Sequence, residues 1–247
     1  MEENFIDQFL ETTKSKHMPV SDQTKGLPQP PLELPMPEGL QPIALPSPQQ
    51  LAIPPMDLRL ALENRETLRA YSDENISLDE LSYLLWTTQG VKKVTDRPVT
   101  IRTVPSAGAR HPFETWLLVN RVEGLEPGLY RYFAIKHQLA RVPAVDDIRQ
   151  KLTDGCAHQK HVFESAVTFF WVAVVERTTW RYPLRGLRYF FLDAGHVCQN
   201  LYLAAVQIGC GVCAIAAYDD DLVNQALQVD GRNLFTIYIA SLGRRAK

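Results

Sequence analysis

The sequence has little that would mark a membrane, secreted or nucleic-acid-binding protein. Its longest apolar run is AVTFFWVAVV, Ala166 to Val175, about half of what crosses a bilayer and suited to a buried strand. The N-terminus MEENFIDQF places acidic residues where a secretory signal has positive charge ahead of an apolar stretch. A formal net charge of −2 gives no pull toward nucleic acid or an anionic membrane. The expectation is a cytoplasmic protein with neither as a partner.

Cysteine is scarce. Cys156, Cys198, Cys210 and Cys213 are the four in 247 residues, too few for a disulfide scaffold in a chain long enough to bury a substantial core. Cys210 and Cys213 have the spacing of a redox pair or half a zinc site, but no second ligand pair at comparable spacing follows. The surrounding IGCGVCAIAAY is apolar, so buried free thiols and no metal are expected. There is no internal repeat and no G-x-G-x-x-G behind a strand pattern, so a nicotinamide-binding or P-loop fold is not indicated.

Proline, by contrast, is concentrated. From Val20 to Pro55 it alternates with Leu, Ile and Met (LPQPPLELPMPEGLQPIALPSP). Such a stretch is not helix and suits an extended arm. Its apolar content favours wrapping over a folded surface rather than a flexible tail, which makes it a candidate dimer-embracing arm. The chain divides into an arm, 1–56, and a folded domain, 57–247.

After the arm, Asp57 to Asn64 reads as a short helix. Ser77 to Gly90 reads as a helix with both ends marked: Ser77 and Glu80 fit a capping box, and Gly90 follows the last turn. ETWLLVN and GLYRYFAI are strand-like, with turn residues between them. Helix is expected from Ala144 to Leu152 and around His158 to Glu164, then the buried strand from Ala166. The longest helix is GLRYFFLDAGHVCQNLYLAAVQIG, with Leu187, Phe191, Ala194, Cys198, Leu201, Ala205 and Ile208 at helical spacing. Apolar residues beside that stripe suggest burial on more than one side. CGVCAIAA is extended, Asp219 to Asp221 cap a short helix, and LFTIYIAS is the last strand. The class is α+β.

Two features carry chemistry. The loop PSAGARHP, from Pro105 to Pro112, is poor in side chains and bracketed by prolines, so backbone groups can approach a flat or charged ligand closely. Arg65 and Arg69 lie four apart with Thr67 between them, and Arg244 and Arg245 follow the last strand. Arginine pairs with phosphate in a charge-assisted, bidentate way. The other reading of these arginines is two solvated clusters. Taken with the bare loop, they suggest a site for a flat, phosphorylated ligand.

RETLRAYSDENISLDELSYLLWTTQGV resembles the opening of the flavin-dependent nitroreductase superfamily. PSAGARHPFETW with VNRVEGLEPGLYRY, and DAGHVCQNLYLAA after them, resemble its SagB-type dehydrogenase branch. The resemblance implies a nitroreductase-like fold: a central, mainly antiparallel sheet flanked by helices, in an intertwined homodimer with FMN at the subunit interface. It implies that Arg65, Glu66, Thr67 and Arg69 surround the flavin phosphate, with Arg244 and Arg245 from the chain end. Ser106, Ala107 and Gly108 would run along the ring or ribityl chain, often from the partner subunit. Ala214, Ile215, Ala216 and Ala217 would bring a backbone N–H near flavin N5, and Arg110 would stabilise charge gained near N1 and C2=O.

The chain departs from the pattern at three places. Ala109 and His111 stand where many nitroreductases carry Asn and Gln. Azoline-oxidising members carry a Lys-Tyr pair where this chain has Arg181-Tyr182. Tyr182 can still donate or accept a proton, but arginine stays protonated and is a poor base, which counts against azoline oxidation. Asp193 and His196 on the long helix are expected to hydrogen-bond within a core or interface rather than to catalyse. His111 borders the loop, and Trp180 and Tyr182 either line a substrate pocket or pack. The leading expectation is an FMN-dependent oxidoreductase exchanging hydride with NAD(P)H or an organic substrate by ping-pong turnover. The alternatives are an azoline dehydrogenase subunit acting on peptides within a complex, and a non-catalytic flavin-binding module.

Overall fold

The computed structural model describes residues 2–246. In chain order its elements are α1 (Glu2–Thr12), β1 (Pro42–Ala44), α2 (Leu58–Asn64), α3 (Leu78–Gln89), β2 (Val91–Val94), β3 (Thr100–Arg102), β4 (Phe113–Val119), β5 (Gly128–Phe133), β6 (Gln138–Arg141), α4 (Ile148–Gly155), α5 (Lys160–Phe163), β7 (Val167–Val174), α6 (Val175–Thr179), α7 (Gly186–Gln207), β8 (Cys210–Ile215), α8 (Asp220–Leu227) and β9 (Leu234–Arg244). Short 3-10 turns occur at Ser15–His17 and Ala107–Ala109.

Seven strands form one sheet in the order β1-β6-β5-β4-β7-β9-β8, and every neighbouring pair is antiparallel. This is the mainly antiparallel sheet flanked by helices that the resemblance implied. The central strand β7 shows why both faces are covered. Phe169 and Trp171 join a core with α3 and α7, whereas Phe170 and Val172 join a second core with α4 and α8. Alternation of side chains along a strand sends these pairs to opposite faces, and all four are apolar, so each face needs a layer of helices.

Helix ends follow local sequence. The Ser77 hydroxyl accepts from Glu80 N at 3.2 Å, and the Glu80 carboxylate accepts from Ser77 N at 2.7 Å, closing the expected capping box. The Asp57 carboxylate caps α2 by accepting from Arg59 N and Leu60 N, and Asp219 caps α8 by accepting from Leu222 N. The hairpin of β2 and β3 and the short strands β1 and β6 are not foreshadowed by apolar alternation. The apolar run of β7 continues into α6, where periodicity alone suggested only strand.

The arm lies on its own domain rather than reaching away from it, and it opens with α1 rather than being extended throughout. Arg177 Nε donates to Pro31 O at 2.8 Å, and Arg131 donates to Leu34 O at 2.7 Å and Pro35 O at 3.1 Å. Prolines lack an N–H, so a proline-rich segment offers acceptors with few donors, and buried arginines answer them. Glu114 compensates these cations: it pairs with Arg131 at 2.8 Å and with Arg177, and accepts from Leu34 N at 2.8 Å. β1 then adds the arm to the open edge of β6.

On α7, Phe191 of the periodic stripe is 66% exposed beside Leu192 at 60%, and His196 is exposed as well.

Candidate functional site

The segment from Arg65 to Arg69 is extended rather than helical, and it forms a parallel bridge from Thr67 to Val212 of β8. Arg65, Thr67 and Arg69 nevertheless face one way, because alternate residues of an extended chain share a side. Two glycines admit the strap. Gly211 and Gly243 are direct partners across β8 and β9; a Cβ on Gly211 would lie 2.1 Å from Leu68 Cδ1, and one on Gly243 would lie 2.7 Å from Tyr71 Cγ. Residues 68 and 71 can press against the sheet only because neither position carries a side chain.

Tyr202, which sequence inspection did not single out, organises this region. Its hydroxyl lies 3.1 Å from Thr67 Oγ1 and accepts from Ala214 N at 3.0 Å, while the Arg65 guanidinium sits 5.4 Å from its ring centre. One phenol thus ties the arginine strap to the start of Ala214–Ala217. Along that stretch Ile215 sends its side chain into the second core, while Ala216 and Ala217 are exposed. Glu66, Thr67, Arg69 and Arg245 line a cleft of about 520 Å³. Beneath it runs a polar chain: Tyr71 Oη to Ser241 Oγ at 2.9 Å, and Ser241 Oγ to His161 Nδ1 at 2.9 Å. Burial and the Arg69 charge hold His161 below its ordinary pKa. All four cysteines are buried and unpaired, and burial pushes the Cys213 thiol up although Arg69 beside it pulls the other way.

The two terminal arginines have different surroundings. Arg245 pairs with Glu66 at the cleft. Arg244 points elsewhere: its Nη2 lies 2.7 Å from both Glu80 carboxylate oxygens, and Nη1 donates to Ile208 O.

The loop Ser106–Arg110 belongs to a second region. The Ser106 hydroxyl donates to Asp193 Oδ2 at 2.5 Å and accepts from His111 N at 2.9 Å, while Ala107 N donates to Asp193 Oδ1 at 3.3 Å. Asp193 therefore anchors the loop from α7, and burial raises its pKa against the pull of these bonds. Gly108, Ala109 and His111 all have positive φ, at 58°, 52° and 44°. Gly108 is needed there for space as well: a Cβ would meet Tyr182 Oη at 2.4 Å. His111 is buried, and burial with the nearby Arg102 charge lowers its pKa to about 3, so it is neutral at physiological pH.

The structure thus gathers the proposed residues into two sets. Arg65, Thr67 and Ala214 contact Tyr202, and Thr67 joins Glu66, Arg69 and Arg245 in the lining of the adjacent cleft. Ser106 and Ala107 contact Asp193, and the loop continues through Gly108, which has Arg110 on its carbonyl and Tyr182 beside it. Nine residues separate Asp193 from Tyr202 on α7, which is two and a half turns, so they project to opposite sides about 13 Å apart along the axis.

Comparison with known proteins gives the family. The nitroreductase family model matches residues 62–244. The chain belongs to the nitroreductase family, a family of oxidoreductases. It is 33% identical over 168 residues to the nitroreductase-family protein MJ1384 of Methanocaldococcus jannaschii, covering 68% of this chain and 82% of that one. It is also 26% identical over 148 residues to the microcin B17-processing protein McbC of Escherichia coli, covering 58% of this chain and 54% of McbC. Among solved structures, a nitroreductase-family protein from Anabaena variabilis superposes with a TM-score of 0.71 at 29% identity, covering 85% of this chain but only 42% of that longer one. The E. coli microcin synthetase complex McbBCD, with truncated pro-microcin bound, contains a chain of the same fold at a TM-score of 0.61 and 19% identity, covering 97% of this chain and 87% of that chain. Among the described residues no helix is long and apolar enough to cross a membrane.

Proposed function

We propose that this nitroreductase-family protein is an FMN-dependent oxidoreductase acting as a homodimer, each flavin held between the Tyr202 region of one protomer and the Asp193 region of its partner. The observation that carries this reading is the placement of the two regions on opposite sides of α7. A single flavin cannot pass through the helix, whereas a second copy would bring its own loop to the cleft. The exposed Phe191, Leu192 and Leu184 at the N-terminal end of α7 support a partner covering that surface.

The donor set fits a flavin phosphate. Arg69 and Arg245 against the one carboxylate of Glu66 leave an excess of one positive charge lining the cleft, and Arg65 stands nearby over the Tyr202 ring. A phosphate monoester carries about −1.5 to −2 near neutral pH. The Thr67 hydroxyl and the backbone of Ala214–Ala217 add neutral hydrogen-bonding groups. FMN, when bound, supplies reversible hydride acceptance. The chain's part is to orient the ring, to place the Arg110 cation where negative charge develops, and to offer the Tyr182 hydroxyl beside Gly108 for proton transfer. Arg110 sits over the Trp180 ring at 5.3 Å with its Nε on Gly108 O at 3.1 Å, which fixes it against the loop. NAD(P)H and an organic acceptor would use the same site in turn, giving ping-pong kinetics.

A second reading, peptide-azoline dehydrogenation within a complex, draws on the processing proteins among the relatives. Arg181 in place of lysine beside Tyr182 weighs against it.

The test is an absorbance spectrum of purified protein, mass identification of the released chromophore, and sedimentation. One FMN per protomer in a dimer, bleached by NADH under argon, is expected. A colourless protein that takes up no FMN overturns the reading, and FMN held by a monomer overturns the shared site.

A further inference from the structure

A cavity of about 810 Å³ opens beside Gly108 and is lined by Arg110, Arg181 and Arg97. Its wall on the other side is the arm. Gln23 N donates to Trp180 O at 2.9 Å and Trp180 Nε1 donates to Leu27 O at 3.0 Å, so residues 23–29 are fixed across from the loop.

The charges in this cavity are not balanced. Arg110 is 6% exposed, and Nε is its only guanidinium nitrogen with a hydrogen-bond acceptor among the described residues. Arg181 has only the Tyr182 ring, 5.4 Å from its guanidinium carbon. Among the described residues no carboxylate lies within ion-pair distance of Arg97, Arg110 or Arg181. Asp96 is the one acidic residue lining the cavity, against three arginines. Arg181 is close enough that its charge, after burial, depresses the Arg110 pKa. Two like charges, one buried with a single side-chain acceptor and one half-buried, are unfavourable side by side, and an anion between them offsets that repulsion and supplies acceptors.

We propose that this cavity binds a reactant bearing a carboxylate or phosphate, held by Arg110 and Arg181 with the exposed Arg97 assisting, so that the protein selects anionic redox partners over neutral ones of the same shape. The role of this reactant rests on the flavin reading of the neighbouring loop, but the anion site itself does not.

The experiment is isothermal titration of the full chain, with its FMN content recorded, using two ligand pairs. 4-Nitrobenzoate against 4-nitrobenzamide tests a charged acceptor, and NADPH against NADH tests the additional 2′-phosphate of a donor. A preference of about tenfold or more for the more negatively charged member of at least one pair is expected, as for hydrogen bonds to charged groups. Arg181→Gln should abolish that preference while leaving the less charged member's affinity unchanged, and Arg97→Gln, at an exposed position where folding is not at stake, should reduce it. Preference within the nitro pair places the anion on the acceptor, and within the dinucleotide pair on the donor; either supports the proposal. Equal affinities in both pairs, or a preference that survives both substitutions, overturn it. Discrimination retained by protein that binds no FMN would uphold the anion site while defeating the flavin reading.

Discussion

Arg244 Nη2 lies 2.7 Å from both carboxylate oxygens of Glu80, one of which also accepts from the backbone N–H of Ser77. The last residue of β9 is thereby fastened to the capping box of α3. Its neighbour Arg245 turns to the cleft with Arg69 and Thr67. Adjacent residues of a strand point to opposite sides, so only one member of the Arg244-Arg245 pair can serve each purpose.

Replacing each arginine should therefore give opposite results. Arg244→Gln is expected to lower stability by roughly 1 kcal/mol, modest because the pair is partly solvated, with FMN affinity retained. Arg245→Gln is expected to weaken FMN binding about tenfold, the loss of one charge-assisted contact, with the melting temperature unchanged. Thermal melts and FMN titrations read both, and the reversed pattern would return the phosphate to Arg244.

Asp193→Ala removes the acceptor for both Ser106 Oγ and Ala107 N. A loss of about 1–3 kcal/mol is expected for groups left without a partner, together with weaker flavin retention. Ser106→Ala in the Asp193→Ala background should add only the loss of the His111 N bond, less than Ser106→Ala costs alone, since the Asp193 contact is already gone. Additive losses in urea unfolding would show that Asp193 does not work through Ser106.

Gly211→Ala would place a methyl 2.1 Å from Leu68 Cδ1. Displacement of the strap should cost about 1–3 kcal/mol and loosen FMN through Thr67 and Arg69. Adding Leu68→Ala should restore much of both. Failure of that rescue in paired melts and titrations would mean that the strap does not depend on this contact.

His111 gives the protein an acid-sensitive component. Its pKa falls from 6.5 to about 3 on folding, so below the higher value the unfolded chain takes a proton that the folded chain refuses. The stabilisation is complete above about pH 6.5 and declines as pH falls toward 3, by up to about 1.4 kcal/mol per unit. His111→Asn tolerates the φ of 44° and should flatten this slope. Urea unfolding at about pH 7 and about pH 5 compares the two proteins; parallel slopes would exclude His111 as the source.

Much of this molecule is legible locally. The capping box at Ser77 and Glu80, the aspartate caps of α2 and α8, the apolar strand β7 and the long helix α7 each depend on residues a few positions apart, where backbone geometry and side-chain period act directly. The motifs RETLR and PSAGARHP pointed to the family and to the candidate site residues. Tertiary structure alone decided how they divide. The pairing of Gly211 with Gly243, the phenol of Tyr202 between Thr67 and Ala214, and the hold of Asp193 on Ser106 join residues 12 to 135 positions apart or turn on which side of a helix faces what. The arm is the clearest case. Its prolines dictated an extended path, but where it lies was set by Arg131 and Arg177, whose donors answer its carbonyls and whose charges Glu114 balances in the buried interior.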